Sequence, residues 1–168
     1  MRAPILSAFL ALVTSTFAGN WPAWRGPNGD GTTPETDLPL KFSPTEGVKW
    51  KIELPERGNS TPVVWGQKIF LTQNVGTKRT LMCLDRKDGK TLWQAGPEWT
   101  EKEVTHGTNP YCSASAATDG ERVVAWFGSA GCGAGRSMER SSGMWISASR
   151  ATFGAGPRRL CCTAICAS

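Results

Sequence analysis

Ser60-Thr61-Pro62-Val63-Val64-Trp65-Gly66-Gln67-Lys68-Ile69-Phe70-Leu71-Thr72 is followed by Thr80-Leu81-Met82-Cys83-Leu84-Asp85-Arg86-Lys87-Asp88-Gly89-Lys90-Thr91-Leu92-Trp93. These stretches decide the fold class. Runs rich in β-branched and apolar residues alternate with turn residues, the pattern of short strands joined by hairpins. Thr61–Trp65 reads as one strand, and Gly66-Gln67 as a hairpin turn into a second, Lys68–Thr72. Thr80–Leu84 is a third, and Asp85–Gly89 turns it into a fourth, Lys90–Trp93. Just upstream, Val48-Lys49-Trp50-Lys51-Ile52 alternates apolar and polar side chains, as a half-buried strand does.

The pattern then begins again. Ser115-Ala116-Ala117-Thr118 leads through Asp119-Gly120-Glu121 to a strand over Arg122–Phe127. Aligning Pro62 with Ala116 also aligns Ile69 with Val123, an offset of 54 residues, while Trp50 and Trp93 correspond at an offset of 43. Gly96 to Pro110, read as an inserted loop, accounts for the difference. Repeats of roughly 40–50 residues built from four short strands characterise propeller blades.

Composition agrees with an all-β chain. The 168 residues include 19 Gly, 11 Pro and 8 Trp, which favours short strands and turns over long helices. Arg2, the apolar run Pro4–Val13 and the small residues around Thr16-Phe17-Ala18 make residues 1–18 a signal peptide, so export to the periplasm or beyond is expected. No later stretch approaches the roughly 18 consecutive apolar residues of a spanning helix, so no membrane span is expected. Of the net charge of +5, +4 lies from Cys132 onward and residues 19–131 are neutral overall. That distribution offers no basic groove for nucleic acid.

The motifs Ser60-Thr61-Pro62, Leu81–Asp85 and Asp88-Gly89-Lys90-Thr91-Leu92-Trp93 resemble the quinoprotein-type repeat of pyrroloquinoline-quinone-dependent dehydrogenases and their non-enzymatic relatives. Trp21-Pro22-Ala23-Trp24-Arg25-Gly26-Pro27-Asn28-Gly29-Asp30-Gly31 is similar to the opening of exported bacterial proteins of that class, and His106–Ser115 to the segment before their second blade. The resemblance spans residues 21–131. It implies an exported β-propeller, of which 19–131 supplies one blade and part of a second: an incomplete propeller of one to two four-stranded antiparallel blades with an irregular C-terminal tail. Repeats that cannot bury their own faces need about three neighbours for stability.

Residues 132–168 hold no sustained period and read as a disordered or out-of-frame tail. A one-base shift of the codons from Gly131-Cys132 can restore D-G-T-E-L-W followed by S-P-V-L-Y-G-D, the end of one blade and the start of the next. Some letters are forced: Met138-Glu139 must then encode Gly, Met144-Trp145 Val, Trp145-Ile146 Asp, and Cys161-Cys162 Leu.

Three functions compete: a scaffold or binding module offering a propeller face to a protein or small-molecule ligand, the remnant of a quinone-dependent alcohol or sugar dehydrogenase, and a small exported binder with a basic tail. The dehydrogenase needs a quinone, Ca²⁺, an Asp base and Arg or Trp contacts from several blades, and no such residue transfers to a position of this chain. No catalytic, cofactor or metal residue is therefore assigned, and no enzyme activity is expected of the chain itself. Cys161-Cys162 resembles the adjacent-cysteine disulfide of some quinoproteins but lies in the tail. With Cys166 it lacks the histidine or second C-x-x-C of a zinc site. Cys83 reads as a core residue, with a Cys112 disulfide as the alternative. His106 reads as a turn residue before it reads as a ligand, and Asn28–Gly31 as a turn, since it lacks the spaced carboxylates of a calcium loop. Arg25 is expected to pack with Trp21 or Trp24. Glu98, Glu101, Lys102 and Glu103 are expected to form a solvated loop face.

Overall fold

The computed structural model describes residues 19–36, 38–136 and 144–146. Residues 1–18, read above as a signal peptide, and Cys161, Cys162 and Cys166 lie outside them. Two four-stranded antiparallel sheets follow each other along the chain. The first comprises β1 (Val63–Trp65), β2 (Lys68–Val75), β3 (Lys78–Asp85) and β4 (Thr91–Ala95); the second comprises β5 (Ala117–Thr118), β6 (Arg122–Trp126), β7 (Cys132–Arg136) and β8 (Met144–Ile146). Each is a simple meander in sequence order. Among the described residues the fold is all-β, apart from one 3-10 turn at Gly128–Ala130.

The hairpins follow their turn residues. Trp65 pairs with Lys68 and Val75 with Lys78, leaving two-residue loops opened by Gly66 (φ 56°) and Gly76 (φ 59°). A positive φ in such a loop matches the twist of the flanking strands. The β3–β4 turn is held from within: Asp85 Oδ1 accepts the Lys87 N–H at 2.7 Å, and Asp88 Oδ1 accepts the Lys90 N–H at 3.0 Å.

Strand β3 is buried on both faces, which explains its unbroken apolar run. Leu81 and Cys83 join Val63, Phe70, Ala116, Val123, Ala125 and Phe127 in the core between the sheets, with Trp65 and Trp93 packed against it. Met82 and Leu84 point the other way, with Leu71, beneath Ile52 and Ile69. Complete burial of Phe70 or Leu81 contributes about 1.5–3 kcal/mol each. Trp65 closes the joint between the sheets by lying on Gly120, where a Cβ would come within 2.4 Å of the indole.

A short N-terminal segment caps the first strand of both sheets. Trp21 and Val64 exchange two backbone hydrogen bonds of 2.8 Å, the Asn20 carboxamide oxygen accepts the Gly66 N–H, and the Thr118 N–H donates to Pro22 O at 2.9 Å. The exposed edge that a first strand would otherwise present is thereby covered.

Two expectations are corrected. Val48–Ile52 is not a strand, because alternation marks a surface suited to pairing but supplies no neighbour to pair with. The stretch after Gly131 is not irregular throughout, since Cys132–Arg136 and Met144–Ile146 complete the second sheet. The β6–β7 ladder runs through Gly133, Ala134 and Gly135, and backbone pairing of this kind needs no side-chain period. Among the described residues the two sheets form neither a closed barrel nor a ring, and no helix is long and apolar enough to cross a membrane.

Candidate functional site

The loop after β4 folds back onto the first sheet, and the chain's most unusual polar contacts gather there. Gly96 makes the return feasible, since a Cβ at that position would sit 1.8 Å from Arg79 O. Arg79 N–H donates to Pro97 O and Trp99 N–H to Thr77 O, so the loop starts as a continuation of the sheet. Further on, Thr72 Oγ1, fully buried, lies 2.9 Å from Cys112 O and 2.6 Å from Ala114 O. Asn59 donates to Thr108 O at 2.7 Å, and Thr61 N–H to Ser115 Oγ at 2.8 Å. Segments 57–61 and 106–115 thus form one seam.

Arg79 lies at the centre. Its side chain is 3% exposed, its guanidinium carbon sits 3.7 Å from the Tyr111 ring centre, and Glu103 approaches it at 3.6 Å. Asn74 Oδ1 accepts a further N–H, while Arg79 Nε has no protein partner. A guanidinium taken out of water loses several kcal/mol of hydration, which the carboxylate, the ring face and the amide together offset. Glu103 also accepts the Ser129 N–H at 3.2 Å, and its carbonyl accepts the Tyr111 hydroxyl at 3.1 Å. It therefore ties the loop to both sheets and is no part of a solvated face, which corrects that expectation. Glu98, by contrast, is exposed and pairs with Lys78 at 3.4 Å. The sequence signal for Arg79 was faint: it sits in the polar opening Lys78-Arg79-Thr80 of the strand, ahead of the apolar run Leu81–Leu84.

The other candidates resolve as structure. His106 Nδ1 lies 2.8 Å from Thr108 Oγ1, and its carbonyl accepts the Asn109 N–H, so this exposed residue organises a turn. Asp30 accepts the Thr32 N–H and hydroxyl, and these bonds hold its carboxyl below the usual value. Arg25 lies over Trp24, 5.7 Å from the ring centre. Cys83 and Cys112 share the inter-sheet core as free thiols, which corrects the disulfide alternative. Burial pushes each up to about 11, so neither is a nucleophile at neutral pH. Cys112 also has φ 60°, a strained conformation for a residue with a Cβ.

An open hollow of about 310 Å³ beside Val75, Lys78, Thr80, Gln94, Ala95 and Gly96 offers a lysine but no acid–base pair. Among the described residues, no three His, Cys, Asp or Glu side chains come together as a metal site. The first strands, Val63–Trp65 and Ala117–Thr118, carry no carboxylate or arginine. Compared with family models, curated proteins and solved structures, the chain matches none.

Proposed function

We propose that the chain is the N-terminal part of an exported, quinoprotein-like β-propeller that serves as a scaffold or binding module and has no catalytic site of its own. One observation carries this reading: within residues 19–131 the four-stranded antiparallel meander β1–β4 is followed by the start of a second, β5 and β6, and the two pack together, with Phe70, Leu81 and Cys83 of one against Val123 and Ala125 of the other. Stacking of such units around an axis is how propellers bury faces that one sheet cannot bury alone. Neutrality of residues 19–131 and the polar seam at 57–61 and 106–115 favour a protein or small-molecule ligand over nucleic acid.

The residues from Cys132 onward belong, on this reading, to a shifted frame. The test is a fresh read of the DNA across the codons for Phe127–Met138 and downstream. One inserted or lost base that restores D-G-T-E-L-W and S-P-V-L-Y-G-D is the expected result, and an intact frame followed by a true stop would refute it. The restored protein, loaded with pyrroloquinoline quinone and Ca²⁺, is expected to reduce no dye with alcohols or sugars. Turnover would favour the dehydrogenase remnant instead.

A further inference from the structure

The Arg79 guanidinium has one edge that its protein neighbours leave incomplete. Asn74 Oδ1 accepts from Nη1, and the Tyr111 ring covers one face, 3.7 Å from the guanidinium carbon. The side edge, Nε with Nη2, is of the kind that pairs in parallel with both oxygens of a carboxylate. Here Nε has no hydrogen-bond partner, and Nη2 meets Glu103 Oε2 at 3.6 Å, longer than a hydrogen bond. Glu103 is held back by its other oxygen, Oε1, which accepts the Ser129 N–H. The Arg79 side chain is 3% exposed, so bulk water does not serve this edge either.

A second buried donor belongs to the same neighbourhood. Trp99 N–H donates to Thr77 O, which sets Trp99 opposite a residue two positions before Arg79. Strand alternation places Arg79, Leu81 and Cys83 on one face of β3, and Trp99 and Tyr111 pack against the core that Leu81 and Cys83 form on that face. Trp99 Nε1 is buried without a hydrogen-bond partner. Trp93 Nε1 is a third such donor, but Trp93 pairs with Cys83, four residues from Arg79. Arg79 lies on β3, two strands out from β1, and Glu103, 20% exposed, is its neighbour on the solvent side. A group that takes the place of Glu103 therefore reaches the guanidinium from water.

We propose that Arg79 and Trp99 form a carboxylate-binding site, in which an incoming carboxylate displaces Glu103, accepts from Arg79 Nε and Nη2 in parallel, and takes the Trp99 indole N–H as a third donor. Glu103 is a placeholder, released toward Ser129 and water. The exchange puts one carboxylate in the place of another, so no unpaired ion is left buried. Arg79 is the one charged side chain buried among the described residues, and a phosphate dianion would bring a charge with no second cation to meet it. The inference rests on the binding-module reading and gives its ligand a chemical class. The two fail separately: alcohol or sugar turnover by the restored protein would overturn that reading, whereas the site is tested on this chain by binding alone.

The probe is sodium acetate added to the full chain, with sodium chloride at equal ionic strength as the blank. Binding is read from the Arg79 Nε–H and Trp99 Nε1–H resonances in proton–nitrogen NMR spectra. Both are expected to shift together and to saturate at about millimolar acetate, while Trp93 Nε1–H stays in place. Glu103→Gln should tighten binding about tenfold, because the competing charge is gone. A purely loop-anchoring Arg79 would give no such gain. Trp99→Phe should weaken binding by about threefold to tenfold. Arg79→Lys keeps the charge, loses the parallel donors and should abolish binding; if that variant does not fold, the Glu103→Gln gain still decides. Triglycine, compared with its C-terminal amide, separates the sources of the carboxylate. Tighter binding than acetate that the amide lacks assigns a chain end, and weaker binding assigns a small acid. No shift at Arg79, an equal shift with the amide or with inorganic phosphate, or unchanged affinity in Glu103→Gln would overturn the inference.

Discussion

The two sheets share a topology but are held together differently. The first has strands of eight residues in β2 and β3 and buries side chains on both faces, from Phe70 and Leu81 on one to Met82 and Leu84 on the other. The second is built on strands of two to five residues, and its β6–β7 ladder runs through alanine and glycine, with Trp126 36% exposed. Backbone pairing alone can draw a sheet; apolar area removed from water is what makes it cohere. The second sheet is therefore a dependent of the first, attached through Val123, Ala125, Phe127 and the Trp65–Gly120 joint.

The largest test of that dependence is a pair of truncations. Phe70→Ala is expected to cost about 3–5 kcal/mol, and Val123→Ala less, about 1–3 kcal/mol, both read from urea unfolding. If Phe70→Ala left the second sheet's amide protection intact, the dependence would be disproved. Arg79→Ala comes next. It leaves Glu103 facing the loop without its cation, at a cost of about 2–4 kcal/mol, moderated because Glu103 keeps 20% exposure. Limited proteolysis should then cut within 97–115 before either sheet; cleavage first in the β2–β3 hairpin would remove the loop-anchoring role.

Gly120→Ala addresses the joint alone. The added Cβ meets the Trp65 indole at 2.4 Å, on a backbone of φ 95°, so about 1–3 kcal/mol should be lost. Protection should fall in β5 and β6 with little change in β3, and a uniform loss would mean the sheets unfold as one unit.

The buried thiols produce a smaller, alkaline effect. Each titrates at about 11 in the fold against 9.0 unfolded. The stability they contribute is complete below pH 9 and declines as pH rises toward 11, by about 1 kcal/mol per thiol at pH 10. Cys83→Ala should flatten that limb of the melting-temperature profile; an unaltered slope would show that Cys83 is not buried as a thiol.

The smallest effect is at the acid end. N–H bonds from Arg122 and Glu121 hold Asp119 below its ordinary value of 3.8. The stability it contributes is present above that value and fades as pH falls through the lower folded one. Asp119→Asn should mute this decline in the second sheet alone.

Much of the first sheet was legible because its turns carry their own instructions: Gly66 and Asp85–Gly89 dictate reversals through local backbone chemistry, and the runs between them can only be strands. The beginnings of β5 and β6 followed from repetition of the same signals. The strands after Gly131 were not legible, because glycine and alanine pair through the backbone and leave no periodic trace. Val48–Ile52 shows the reverse case, in which the trace is present and the partner is not. The role of Glu103 was hidden for a related reason: a charged loop looks the same in sequence whether it meets water or a buried guanidinium.

Local turn chemistry and strand alternation thus determined that this chain is all-β and where its first hairpins fall. The tertiary structure alone decided that Arg79, Tyr111 and Glu103 meet, that Cys83 and Cys112 stay unpaired thiols in one core, and that Trp65 rests on Gly120. Those are contacts between residues tens of positions apart. Their energies depend on burial and on which neighbour arrives, quantities that no short window of sequence contains.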